Sequence, residues 1–274
     1  MLSYQHHYHA GNHADVLKHW LLTECVHYYQ RKDKPFDYID THAGAGFYQL
    51  DSMEARKTAE SDSGVMKLDW ANLPGLENYH QLIKDDLAKR AYPGSPMFVN
   101  RLLRRGDHAW LFEMHPQTVV ELEKYCAVKR MTYVQKEDGF AGVQRLLPNQ
   151  SRRAIVLIDP SYEIKSDYQT VVKVMAKIYK KMPQTTILLW YPVVERSQID
   201  LLEQSIQKTA MRNVQLFEIG VNDDSVKGMQ SSGMIAVNPP WTLKQQFAET
   251  MPQVSKAMSV DHLDRSRFSQ IVDE

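Results

Sequence analysis

Several short apolar runs in this chain end in residues able to do chemistry. Residues 36–40 lead directly into Asp40-Thr41-His42-Ala43-Gly44-Ala45-Gly46. Glycines at the end of a parallel strand let backbone N–H groups come close to a ligand. The third glycine of a dinucleotide fingerprint is missing, and no Gly-Lys-Ser/Thr follows, so this is not a phosphate loop. An acid ahead of the turn repels a pyrophosphate and attracts a cationic ligand such as S-adenosylmethionine. A tight turn after a strand would explain the same glycines. Glu113 follows the next apolar run, where a carboxylate can take ribose hydroxyls. It lies much further from the glycines than the roughly 20 residues usual for that role, which implies an insertion between them. A solvated glutamate is the plain alternative. Asp138, in Lys136-Glu137-Asp138-Gly139-Phe140, can accept a hydrogen bond from the amine of a bound adenine. Asp-Gly is also a turn signal.

The fourth group is Asp159-Pro160-Ser161-Tyr162, after residues 154–158. It resembles the Asp/Asn-Pro-Pro-Tyr signature of methyltransferases that act on an amine nitrogen. An adenine N6 amine is conjugated with its ring and is a poor nucleophile. Hydrogen bonds from that amine to the Asp159 carboxylate and the Pro160 carbonyl favour a pyramidal nitrogen with its lone pair free. Asp159 can then take the released proton. Proline restricts the loop, and Tyr162 offers a face for stacking a flipped-out base, worth about 1–3 kcal/mol. A strand-ending turn with a core tyrosine would look similar. Asn238-Pro239-Pro240-Trp241 is a rival copy. The catalytic copy should end the strand beside the glycine-loop strand, with further strands after it. That selects Asp159 and leaves the Asn238 copy as the end of the last strand, with its proline and tryptophan closing the core.

Seven of the 11 histidines lie within the first 42 residues. His9 and His13 are spaced to share a helix face and a metal. However, the segment lacks the H-x-H-x-D-H order of a two-metal hydrolase, and no metal is expected. The preferred reading is a cap in which imidazoles such as His6, together with Tyr4 and Lys18, face RNA and the cofactor carboxylate. Basic residues at 101–105, 129–130, 152–153 and 173–181 can touch phosphates, although most such residues are simply solvated.

The elements that must position these groups alternate. Strands are expected at 36–40, 110–112, 132–135, 154–158, 186–190, 214–220 and 233–237, with helices between most of them. This predicts an α/β fold with a mostly parallel seven-stranded sheet, its last two strands antiparallel. A helix is expected from about residue 13, capped by Asn12. Residues 51–93 break the rhythm and read as a small inserted helical subdomain within one domain spanning 1–274. After Trp241 a helix over 243–251 and a loosely ordered end are expected. The chain has 33 basic and 33 acidic residues and a 43% hydrophobic content, which excludes a disordered protein. Two cysteines exclude a disulfide framework. No secretory signal or membrane span is expected, so the location is expected to be cytoplasmic.

Tyr4, His6, the run from His9 through His19, residues 40–46, Tyr92-Pro93-Gly94-Ser95-Pro96, Asp138-Gly139-Phe140, Asp159-Pro160 and Tyr191-Pro192-Val193 together resemble the ribosomal RNA large subunit methyltransferase J family. The likeness spans nearly the whole chain. It implies a Rossmann-like class I methyltransferase fold, S-adenosylmethionine as cofactor and methylation of adenine N6 in 23S rRNA; a monomer is expected. It implies cofactor contacts at His19, His42, Ser95, Glu113, Asp138 and Gly139, catalysis at Asp159 and substrate contact at Tyr4. The reading of the residues adds Gly44 and Asp159 to the cofactor contacts, Pro160 and Tyr162 to catalysis, and His6 and Lys18 to RNA contact. The family's second proline is Ser161 here, which bears on loop stiffness. A DNA adenine or protein glutamine methyltransferase, or a histidine-metal hydrolase, are the alternatives.

Overall fold

The structure is a computed structural model that describes residues 6–164, 166–223, 226 and 228–274. In chain order its elements begin with α1 (His13–Gln30), β1 (Asp37–Asp40) and β2 (Phe47–Gln49). The next segment holds α2 (Met53–Thr58), α3 (Glu60–Ser63) and α4 (Glu77–Leu87), and closes with β3 (Ala91–Pro93). Then follow α5 (Ser95–Asn100), β4 (His108–Phe112), α6 (Pro116–Cys126), β5 (Thr132–Gln135), α7 (Gly139–Leu146) and β6 (Ala154–Ile158). The last third is α8 (Asp167–Lys181), β7 (Thr186–Val193), α9 (Arg196–Gln207), β8 (Val214–Gly220), β9 (Ser231–Val237), α10 (Leu243–Met258) and β10 (Arg267–Val272).

Eight strands form one sheet in the order β10-β8-β9-β7-β6-β1-β4-β5. The five strands from β7 to β5 are parallel, and β9 runs antiparallel between β7 and β8. Side chains of β6 alternate between two cores. Ile155 and Leu157 face the core shared with α1 and α10, while Ala154, Val156 and Ile158 face the core shared with α8 and α9. A strand buried on both faces reads as an unbroken apolar run, as this one does.

The sheet has eight strands, not seven. β10 pairs antiparallel with β8 where a loose end was expected. It is an edge strand, mostly half-exposed, and its register slips between Gln270 and Val272, so it carries no clean two-residue alternation. α10 runs through Pro252 to Met258, seven residues past the expected end. The reading of Trp241 as a core residue is also corrected: its side chain is 75% exposed.

α1 is buried on nearly every side, because it lies on the sheet and is covered by α4, α5 and α10. Asn12 caps it, accepting the Asp15 N–H at 3.0 Å. The segment before it is held by residues 58–65: the Val65 N–H donates to the Gly11 carbonyl at 2.8 Å, and the Thr58 hydroxyl to that of Tyr8. β2 and β3 pair at the base of this helical excursion. No helix among the described residues is long and apolar enough to cross a membrane.

Gly64 marks the closest approach. A Cβ there would lie 2.3 Å from the Gly11 carbonyl oxygen and 2.7 Å from Asn12 Cα. Both are backbone atoms, so neither can swing away. Gly64→Ala is expected to lower stability by about 1–3 kcal/mol, measured by urea unfolding. An unchanged midpoint would show that the two segments part at little cost.

Candidate active site

The parallel strands deliver the chemistry-bearing residues to one edge. Asp40 ends β1, Glu113 follows β4, and Asp159 follows β6, which pairs with β1. The rival Asn238 lies at the opposite edge. β9 is antiparallel to β7, so Asn238 sits where β7 begins and donates to the Pro183 and Thr185 carbonyls.

Two cavities open at this edge and share Asp159. The first, about 400 Å³, is lined by His19, His42, Gly44, Ser95, Glu113 and Pro160 among others. The second, about 650 Å³, reaches His13, Glu60, Tyr162 and Tyr168. His6, Lys18, Asp159, Ser161 and Trp190 border both. Volumes in this range suit a nucleoside-sized ligand.

At the boundary Lys18 is buried, and its ammonium lies 2.8 Å from Asp15 Oδ1 and 2.7 Å from Asp159 Oδ2. Burial alone would lower its pKa, but the two carboxylates hold it well above the usual lysine range. Asp15 also accepts the Gly11 N–H at 2.8 Å and faces His6 Nε2 at 3.0 Å. Burial would raise Asp15, yet His6 and Lys18 hold it well below the usual carboxylate range. Lys18 therefore does not project toward an open RNA-facing surface. A buried ammonium must be paired, and these two acids pair it.

The glycine turn shapes the first cavity. Gly44 has φ +63°, and its N–H donates to Glu113 Oε2 at 3.1 Å. The other Glu113 oxygen takes the His115 N–H at 2.7 Å. Asp40 does not face a ligand as its position suggested. It is fully buried and accepts hydrogen bonds from Tyr38 (2.6 Å), Ser95 (2.7 Å) and the His42 N–H (3.3 Å). Burial pushes its pKa up to about 6. Ser95 lines the cavity, but its hydroxyl is directed to Asp40.

His19 is stacked on Phe98 at 4.6 Å, and its Nδ1 lies 2.7 Å from the Tyr92 hydroxyl, which meets that of Tyr79 at 2.8 Å. Its Nε2 is buried and has no hydrogen-bond partner among the described residues. Burial depresses the pKa of His19 well below normal, so the imidazole is neutral. A neutral ring with one unsatisfied nitrogen in the wall of a cavity fits a polar group of a bound cofactor. Gly139 lies behind the glycine turn, where a Cβ would meet the Thr41 carbonyl oxygen at 2.1 Å. Asp138 is exposed and caps α7 through the Phe140 N–H, and neither residue lines the cavities.

Tyr162 does not stand free as a stacking platform. Its hydroxyl donates to the Trp190 carbonyl at 2.7 Å, and its ring lies 4.5 Å from that of Tyr168. Tyr4 lies outside the described residues. Sequence reasoning gave no site role to Asp15, Tyr92 or Trp190. Trp190 lies inside an apolar run, and neither of the others has a spacing that marks it.

Among the described residues no group of three or more His, Cys, Asp or Glu side chains is placed to hold a metal. His9 instead faces Glu60 at 2.8 Å, and Asn12 donates to the same carboxylate at 2.9 Å.

A parallel sheet with an acid-ended, glycine-turn crevice at its carboxyl edge defines a class I methyltransferase fold. A family model described as "Ribosomal RNA large subunit methyltransferase D, RlmJ" matches residues 33–268. The chain belongs to this family. It is 42% identical to the ribosomal RNA large subunit methyltransferase J of Escherichia coli K12, covering all of both chains. It is 41% identical to the protein of the same name from Haemophilus influenzae, over 94% of each. A crystal structure of a Legionella pneumophila protein, 30% identical, superposes with a TM-score of 0.85 over 95% of this chain and 97% of that one.

Burial holds both His13 and His42 neutral, with pKa values lowered to about 4. The unfolded chain protonates them below about 6.5, so it binds more protons than the folded state between pH 6.5 and 4. Each group contributes stability that is present above this window and lost as pH falls through it. His13→Asn is expected to flatten the fall in unfolding free energy between pH 6.5 and 4, by up to about 1.4 kcal/mol per pH unit. Urea titrations at several pH values measure this, and identical slopes would contradict the assignment.

Proposed function

We propose that this rRNA large subunit methyltransferase transfers a methyl group from S-adenosylmethionine to N6 of an adenine in 23S rRNA. The cofactor, when bound, supplies an electrophilic methyl group on a sulfonium. The first cavity would hold it, with Glu113 and the Gly44 turn on one side and the unsatisfied His19 Nε2 on another. The second cavity would receive the target base, brought in extruded from its stack. On this reading residues 51–93 are a helical insertion whose α3 supplies Glu60 to the wall of the base cavity.

The observation that carries this reading is the division of labour on Asp159. Its Oδ2 is held by Lys18, Oδ1 has no hydrogen bond among the described residues, and the residue borders both cavities. Oδ1 and the Pro160 carbonyl can each accept an N–H of the amine. This draws the nitrogen lone pair out of conjugation and toward the cofactor side. As the nitrogen becomes cationic, the negative charge beside it stabilises the transition state, and Oδ1 can accept the released proton. The Lys18 ammonium, 2.7 Å from Oδ2, fixes the rotation of the carboxylate. The tether from Tyr162 to Trp190 holds the loop in place of the absent second proline, while His42, neutral by burial, lines the cofactor side.

Asp159→Asn is expected to lower kcat at least about 100-fold while cofactor affinity changes little. Mass mapping of adenines in rRNA treated with each protein, with calorimetry for the cofactor, tests both halves. Near-normal turnover in the variant would refute the role. Equal methylation of DNA or protein amides in a competition assay would refute the substrate.

A further inference from the structure

The crevice is poor in positive charge. Among the described residues its walls carry Glu54, Glu113, Glu121 and Asp159 around one cavity, and Asp15, Glu60 and Glu195 around the other. The one lysine in those walls, Lys18, is engaged by Asp15 and Asp159. His13, His19 and His42 are held neutral by burial. A polyanion gains most of its affinity from unpaired cations at its phosphates, and this crevice offers few.

The opposite edge of the same sheet has the reverse character. The loop into β1 carries Arg31, Lys32 and Lys34, and the loop into β4 carries Arg104 and Arg105. Lys129 and Arg130 precede β5, Arg152 and Arg153 precede β6, and α8 ends in Lys180 and Lys181 just before β7. The acids in these loops are Asp33, Asp37 and Asp107, the last paired with Arg104. Strand register brings the loops level: Asp37 is opposite both His108 and Ala154, Ala109 opposite Thr132, and Ile155 opposite Thr186. They are also tied together. Arg104 donates to the carbonyls of Gln30, Lys32 and Lys34, Arg153 to those of Tyr29 and Lys34, and Gln184 to that of Arg152. Bonds to carbonyls leave the Arg153 charge uncancelled, while that of Arg104 is met by Asp107.

Trp241 adds an aromatic platform to this rim. Asn238, three residues before it, is fixed to the Pro183 and Thr185 carbonyls beside Lys180 and Lys181, and the indole is 75% exposed. Cations interleaved with a bare indole suit a folded RNA that presents phosphates and an unpaired base. A lipid surface calls for a broader apolar face, and in these loops the exposed large hydrophobic side chain is Val128 alone, with Trp241 beside them.

We propose that this basic rim, with Trp241, is a second RNA-docking surface that grips the backbone of the same rRNA whose adenine enters the crevice on the other side. The inference rests on the rRNA reading above. The rim and the crevice are separated by the length of the strands, roughly 15–25 Å. A folded rRNA domain can reach both, and a few nucleotides around the target cannot.

The test compares long and short RNA. The triple variant Arg105→Gln, Lys129→Gln, Lys180→Gln and the single variant Trp241→Ala are assayed on full-length 23S rRNA and on a short stem-loop containing the target adenine. Melting temperature and S-adenosylmethionine binding are checked alongside, with Trp241→Phe as the conservative control. On full-length rRNA the triple variant is expected to raise KM at least tenfold with kcat unchanged. Its slope of log affinity against log salt should flatten by roughly 0.7–0.9 per lost contact. Trp241→Ala is expected to raise the same KM about tenfold, with Trp241→Phe close to wild type. Neither should alter the short substrate. An unchanged KM and salt slope on long RNA, or equal losses on both RNAs, would overturn the proposal. So would wild-type binding to phosphatidylserine vesicles without a rim-dependent salt slope for RNA. If the wild-type protein methylates neither RNA, the functional reading fails, while salt-dependent binding to rRNA lacking the target adenine still reports on the rim.

Discussion

The structure turns on one buried ammonium. Lys18 sits between Asp15, at the start of its own helix, and Asp159, at the end of the central strand β6. Its ammonium joins the two acids, 2.8 Å from one and 2.7 Å from the other. Only Oδ2 of Asp159 is taken up by this bridge. Removing one member of such a buried group leaves an uncompensated charge, a cost of about 3–5 kcal/mol. The constraint reaches outward, because Lys18 can hold this position only if α1 is pressed onto the sheet. That in turn requires the cap at Asn12 and the support of residues 58–65 behind it.

Much of this was legible in the sequence wherever one local rule acted alone. The apolar run of β6 is buried on both faces and reads as such, and the Asp159 loop was placed beside the glycine turn by strand order. The acid at 113 and the glycines at 44 and 46 were found because strand ends advertise themselves. What failed did so for physical reasons. β10 is half-exposed and bulged, so its pattern is broken. Trp241 was taken for a core residue because tryptophan usually is one, but β9 ends at the wrong edge of the sheet to bury it. Asp40 was read as facing a cationic ligand and Asp15 carried no signal of its own, and only the fold reveals that both are buried and multiply bonded. Lys18 and Asp159 are 141 positions apart, and no spacing rule connects them.

Charge is distributed as unevenly as the chemistry. A formal net charge of zero conceals an acidic crevice and a basic opposite edge. This follows from the fold's connectivity. Loops leaving the parallel strands build the ligand site and carry the acids. Loops entering them are free of that duty and carry lysine and arginine. Each class of loop lies on its own edge because all five parallel strands point the same way.

The placement of α1 has a consequence for how the protein comes into being. This helix precedes every strand of the sheet, yet three of the elements that enclose it, β8, β9 and α10, follow it by more than 180 residues. A nascent chain that has completed everything up to α9 still lacks three of the elements against which α1 packs. Enclosure of α1 thus waits on β8, β9 and α10, and a chain cut before them leaves bare the apolar surface that this helix buries against those elements.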